Sequence, residues 1–228
     1  MYAADSTIPP VGRWPGIAGL AFCVLVVAGF VIQGSPAEAS ADDAAILKYY
    51  TDSGNQLRQV IGAVLIGAGL LCFLGFLAGV RTASIREVGS VGPLPALAFA
   101  SGVVFAALFY IAVAVGTSLS FAAIASDVFE LDPDTARVVL AIGNFWLVGF
   151  AAMAASPLVG ATSLISKSTG LLPRWLTWAG FVVAVLLLPA PILFGFPMLL
   201  FLLWTLATSI VLLRTSSRKA QVVVDATS

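Results

Sequence analysis

Apolar residues in this chain fall into long unbroken runs, with the polar residues collected between them rather than threaded through them. Runs at 16–32, 57–80, 96–119 and 138–165 each approach or exceed the roughly 20 apolar residues that a membrane-crossing helix needs. A further stretch, 176–213, carries no charge over 38 residues. As one helix it would be about 57 Å long, too long for a single pass through a core of about 30 Å. Pro189, Pro191, Gly195 and Pro197 interrupt it, which predicts two shorter helices around an uncharged turn. The pattern predicts an all-α integral membrane bundle of six transmembrane helices in one domain, 1–228. Its spans fall near 14–33, 57–80, 96–119, 136–165, 174–190 and 197–213, with 1–12 and 216–228 as tails.

Local signals set the ends of these elements. Arg13, Trp14 and Pro15 form an interfacial helix start, with proline in the first turn. A signal peptide is the rival reading, because Ala37, Glu38 and Ala39 resemble a cleavage site. The 17-residue run exceeds the usual h-region of about 7–15 residues, which favours a retained anchor. Ser40 to Asp43 has the form of a capping box, opening a short helix over 44–51 that Gly54 ends. Ile46, Leu47 and Tyr50 share a face of that helix, suited to the bilayer surface or to a cap on the bundle. Arg81 closes the second span, and 82–92 forms a loop. Asp132, Pro133 and Asp134 supply the N-cap, first-turn proline and acidic first turn of the fourth span. The run at 138–165 would be about 42 Å long, so this helix tilts, kinks at Pro157 or protrudes.

Charge gives the bundle a direction. The net charge is zero, from 11 basic and 11 acidic residues. Arg13, Arg81, Arg86, Lys167, Arg174, Arg214, Arg218 and Lys219 lie on one side of the runs, while Lys48, Arg58 and Arg137 lie on the other. Glu38, Asp42, Asp43, Asp52, Asp127, Glu130, Asp132 and Asp134 accompany the second group. Basic residues remain cytoplasmic, so both termini are expected inside, in a multi-pass plasma-membrane protein. A charged fraction of 10% and a mean hydropathy of +1.06 exclude an ordinary soluble domain, which carries about 25% charge.

Three stretches carry a resemblance: AILKYYTD at 45–52, the Gly/Leu-rich span closing at Arg81, and LPRWLTWAG at 172–180. With these the chain resembles a broad group of uncharacterised bacterial six-helix integral membrane proteins, a domain-of-unknown-function group. The resemblance implies the topology and transfers no activity or functional residue.

Candidate chemistry is sparse. There is no histidine, which removes His-based zinc sites, Ser-His triads and His proton switches. A serine nucleophile in the membrane would lack a base, so no enzyme, catalytic residue or cofactor is expected. Asp127, Glu130, Asp132 and Asp134 are acidic enough for a hard cation but lack an EF-hand pattern; helix capping is the expected role, and no metal site is expected. Cys23 and Cys72 lie at similar depth and are expected as free packing thiols.

Gly75 with Gly79, and Ala151 with Ala155, present small-residue faces for close helix packing within the bundle; a homodimer face is the alternative. Asn144, Tyr110 and Ser156 head the intramembrane polar set, as lining of a polar path or as packing. Serine hydroxyls commonly return to the helix's own carbonyls. Asn144 and Tyr110 fall at comparable depth on consecutive spans, within reach of a mutual hydrogen bond. Expected partners are the lipid bilayer and either a second copy or another membrane protein, with no nucleic acid. The leading expectation is a non-enzymatic structural or accessory membrane component. The alternative is a small permease for a neutral or lipophilic compound, which a polar cavity reaching the midplane would favour.

Overall fold

A computed structural model describes residues 12–34, 41–89, 92–125, 132–193 and 196–227, apart from the side chains of 144–146 and 216–227. Among these residues the elements are all helical. They are α1 (Trp14–Gln33), α2 (Asp43–Thr51), α3 (Ser53–Val88), α4 (Pro93–Ala125), α5 (Pro133–Leu140), a π-helical segment (Ala141–Leu147), α6 (Val148–Thr169), α7 (Arg174–Leu187) and α8 (Phe196–Thr227). Five helical stretches are long and apolar enough to cross a membrane: α1, α3, α4, the continuous 133–169 stretch, and α8 over 196–215. The fifth expected span, 174–190, falls on α7, an apolar helix of 14 residues that is shorter than these five.

Neighbouring long helices run antiparallel. Along α1 and α3, Pro15 meets Gly79, Val26 meets Gly69, and Gly29 meets Gly62. Along α6 and α7, Ser166 meets Thr177 and Ser156 meets Ala184. One end of the bundle gathers Arg13, Arg81, Arg86, Lys167, Arg174 and Arg214; the other gathers Asp42, Asp43, Asp52, Asp132 and Asp134. They are called the basic and acidic ends below. Large apolar side chains face outward along the helices: Val31 is 73% exposed, Leu71 63%, Val185 65% and Leu203 61%. Exposed apolar surface of this extent belongs in lipid.

The middle of the bundle is a buried aromatic layer. The Phe73 ring lies 4.8 Å from that of Phe22, 5.1 Å from Phe105, and 5.9 Å from both Phe76 and Phe201. All five are fully buried, and they come from α1, α3, α4 and α8. Toward the acidic end, glycines let the α1 and α3 backbones close on each other. A Cβ at Gly62 would sit 2.6 Å from the Gly29 carbonyl oxygen, and one at Gly29 would sit 2.8 Å from the Gly62 carbonyl oxygen. Only a residue without Cβ fits on either side of that crossing.

Several element ends differ from the sequence reading. The N-cap of α2 is Asp42, whose side chain accepts from the Ala45 N–H at 2.7 Å; Ser40 lies outside the described residues. Asp52, not Gly54, ends α2, and it also caps α3 by accepting from the Asn55 N–H at 2.8 Å. Gly54 falls in the first turn of α3. That helix continues seven residues past Arg81, through the expected 82–92 loop to Val88. No glycine or proline stands between Val80 and Val88, and Arg, Ala, Ile and Glu all sustain a helix. It ends at Gly89, whose φ of 73° lets its N–H return to the Ile85 carbonyl. Likewise α4 extends over Pro93–Ala125, and α8 continues as helix to Thr227 where a tail was expected.

The fourth span is capped as expected, with Asp132 accepting from the Thr135 N–H at 2.9 Å and Pro133 in the first turn. It passes through Pro157 as helix, and its helical pattern changes instead at the π segment. Neighbouring helices in a membrane make an internal proline tolerable. The break between α7 and α8 falls where Pro189 and Pro191 place it, in a run of turns over 188–193.

Candidate functional site

The acidic end is built differently from the aromatic layer beneath it. Helix α2 lies across α4 and α5, burying Ile46 and Tyr50 against Leu119, Ala136 and Leu140. The shared face of Ile46 and Tyr50 therefore caps the bundle. Arg137 fastens this cap: it pairs with Asp43 at 2.7 Å and Asp134 at 2.9 Å, and donates to the Ala41 carbonyl at 2.9 Å. Hydrogen bonds from the Thr135 hydroxyl and N–H hold the Asp132 carboxyl below its usual range. Its contribution to stability is thus present at neutral pH and lost as pH falls through that lowered value. Burial pushes the Tyr50 phenol up.

Beneath α2 runs a chain of neutral polar groups. Gln59, 5% exposed on α3, donates from Nε2 to the Tyr49 hydroxyl at 2.7 Å. Gln33, the last residue of α1, donates from Nε2 to the Gln59 backbone carbonyl at 3.3 Å. Gln56 and Asn55 donate to the Tyr50 and Tyr49 carbonyls. The side-chain carbonyl oxygens of Gln33 and Gln59 accept no hydrogen bond among the described residues.

Both glutamines line a cavity of about 280 Å³. Phe30, Phe109 and Val113 supply apolar walls, and Ala112, Gly116 and Gly143 line it as well. Gly143 lies in the π segment, where a Cβ would stand 2.9 Å from the Gly116 nitrogen. The cavity reaches Phe109, whose ring stacks 5.6 Å from Phe105 of the aromatic layer. Among the described residues its lining contains no charged residue, histidine or cysteine, and the oxygens they offer a metal ion are neutral, a poor set for a divalent cation.

The residues singled out from the sequence take separate places. Tyr110 donates its hydroxyl to the Gly67 carbonyl at 2.5 Å, tying α4 to α3. Asn144 belongs to the π segment, and its side chain lies outside the described residues. Ser156 donates to the Ala184 carbonyl at 2.8 Å, joining α6 to α7. Thr117, Ser118 and Ser209 return their hydroxyls to their own helices. Both Cys23 and Cys72 are free thiols. Of the acidic cluster, Asp132 caps a helix and Asp134 pairs with Arg137, while Asp127 and Glu130 lie outside the described residues.

Gln33 and Gln59 were missed because each sits at the margin of an apolar run, where a glutamine signals only a span edge. Their clue is that both are uncharged where neighbouring edges carry charge. The fold and this site define a class: an all-helical, multi-pass membrane protein. Compared with known proteins, the chain matches no family model, no curated protein and no solved structure.

Proposed function

We propose that this protein is a non-enzymatic, six-helix component of the plasma membrane, with both termini cytoplasmic, that acts as a structural or accessory partner of another membrane protein or of its own second copy. The observation that carries this reading is the buried Phe22–Phe73–Phe105–Phe201 layer across the middle of the bundle. It supports a body that packs against lipid and protein. In this reading α7 is the fifth of six crossings, and the basic end faces the cytoplasm by the positive-inside rule. The resemblance to bacterial six-helix membrane proteins agrees with that topology.

Single cysteines at Asp43, Ser90, Asp132 and Thr169, in a background lacking Cys23 and Cys72, test the arrangement in intact cells. A membrane-impermeant thiol reagent should reach positions 43 and 132 from outside, and 90 and 169 only after permeabilisation. Any other order refutes the six-span orientation. Crosslinking followed by purification should capture a membrane-protein partner or a dimer, and a strictly monomeric protein would refute the accessory role.

The permease reading has one observation in its favour, the π segment Ala141–Leu147 beside the cavity. Such irregular turns recur at functional sites. Uptake of a neutral solute into proteoliposomes, abolished by Asn144→Leu with the fold intact, would replace the structural reading with this one.

A further inference from the structure

We infer that the cavity at the acidic end is a binding site for an uncharged single-chain amphiphile with a hydroxyl head, held by the side-chain amides of Gln33 and Gln59. The inference goes beyond the accessory role and rests only on the bundle being embedded in a bilayer. Three observations converge on it. First, the orientation of the Gln33 amide is fixed: its Nε2 donates to the Gln59 backbone carbonyl, so the oxygen is the free end. Gln59 joins its Nε2 to the Tyr49 hydroxyl. Each amide keeps its oxygen and one N–H uncommitted among the described residues, so the pair suits a head that both donates and accepts, as a hydroxyl does.

Second, among the described residues no lysine or arginine lines the cavity to neutralise a carboxylate or phosphate, and no acid lines it to hold an ammonium. Burying an unpaired charge there would be costly, so the ligand is neutral. Third, the remaining wall is apolar and extends outward. Phe30 lines the cavity, lies tilted with its ring 6.2 Å from that of Phe109, and is 43% exposed beside the outward-facing Val31. At about 280 Å³ the space lies at the lower end of ligand-sized pockets. It suits a head group and the first part of a chain, the rest lying along Phe30 toward lipid.

The protein, reconstituted in phosphatidylcholine nanodiscs, is photolabelled with a diazirine-bearing hexadecanol and competed with hexadecanol, methyl palmitate or palmitate. Methyl palmitate keeps the chain and an acceptor but has no donor. Hexadecanol should compete about tenfold better than the ester, as expected for one or two hydrogen bonds. It should also outcompete palmitate at pH 8, with label mapping to α1 near Phe30 and α4 near Val113. Gln33→Leu should bring alcohol and ester to near parity, and Val113→Trp should suppress labelling of both segments.

Equal competition by ester and alcohol in the wild type overturns the proposal, as does label spread over the lipid-facing surfaces of all helices. Those two outcomes need no variant, so a misfolded Gln33→Leu does not shelter the proposal. A failed accessory role would leave the labelling intact, and failed labelling would leave the cysteine topology intact.

Discussion

The α1–α3 crossing and the cavity beside it differ in how completely they are packed. Along the crossing, Gly29 faces Gly62 and Gly19 faces Phe76, and each missing side chain lets a neighbour come closer. Across from it Gly143 also closes on the Gly116 backbone, yet a space remains under a cap held by Arg137 and a glutamine chain. In lipid there is no hydrophobic drive between helices, so close packing supplies most of the association energy. A region that gives packing up while burying amides needs another reason to exist. The contrast therefore points to the acidic end as the place of function and the aromatic layer as its support.

Phe73→Ala should break the comparison hardest. Soluble cores lose about 3–5 kcal/mol for a buried phenylalanine. In a membrane the transfer share shrinks, and a loss of roughly 2–4 kcal/mol remains from cavity and lost contacts. Reversible unfolding in mixed micelles measures it, with lipid-facing Leu71→Ala as the control. A Phe73→Ala protein as stable as that control would mean the aromatic layer supports nothing.

Adding one methyl group then separates tight from loose glycines. Gly62→Ala drives a Cβ against the Gly29 carbonyl and should cost about 1–3 kcal/mol, despite alanine's better helix propensity. At Gly160 the new Cβ would meet Ala184 Cβ at 3.6 Å, an ordinary contact. Gly160→Ala should therefore be neutral or gain up to about 1 kcal/mol. The same unfolding assay decides, and a reversed order would show that the α1–α3 crossing is not backbone-limited.

How much of this was visible in the chain depends on how local each signal is. The start of α1 at Arg13 and Trp14, the Asp132 cap and the proline break after α7 are written in adjacent residues, and the structure follows them. The buried face of α2 was visible because Ile46 and Tyr50 lie four apart. The end of α3 was not, because Arg81 and Arg86 alter charge without breaking a helix. A π segment has no residue signature, and Pro157 drew attention away from it. The glutamine chain joins α1, α2 and α3, so no single stretch of sequence announces it. Tyr110 was rightly marked as a polar residue between helices, yet its partner is a backbone carbonyl, which has no sequence identity to search for.

The smallest effects should come from the two interhelical hydroxyls, and they test whether the two regions are mechanically independent. Ser156→Ala removes the bond to Ala184, and Tyr110→Phe removes the bond to Gly67. Each should cost about 0.6 kcal/mol, the average for such bonds in membranes, because the released carbonyls stay within their own helices. The bonds join different helix pairs, α6 to α7 and α4 to α3, and share no partner. Their costs should therefore add to within about 0.5 kcal/mol in the double variant. A larger coupling would mean that a shift at Gly67 is felt at Ala184 through α4 and α6. The aromatic layer would then transmit movement between the helix pairs rather than isolate the cavity from them.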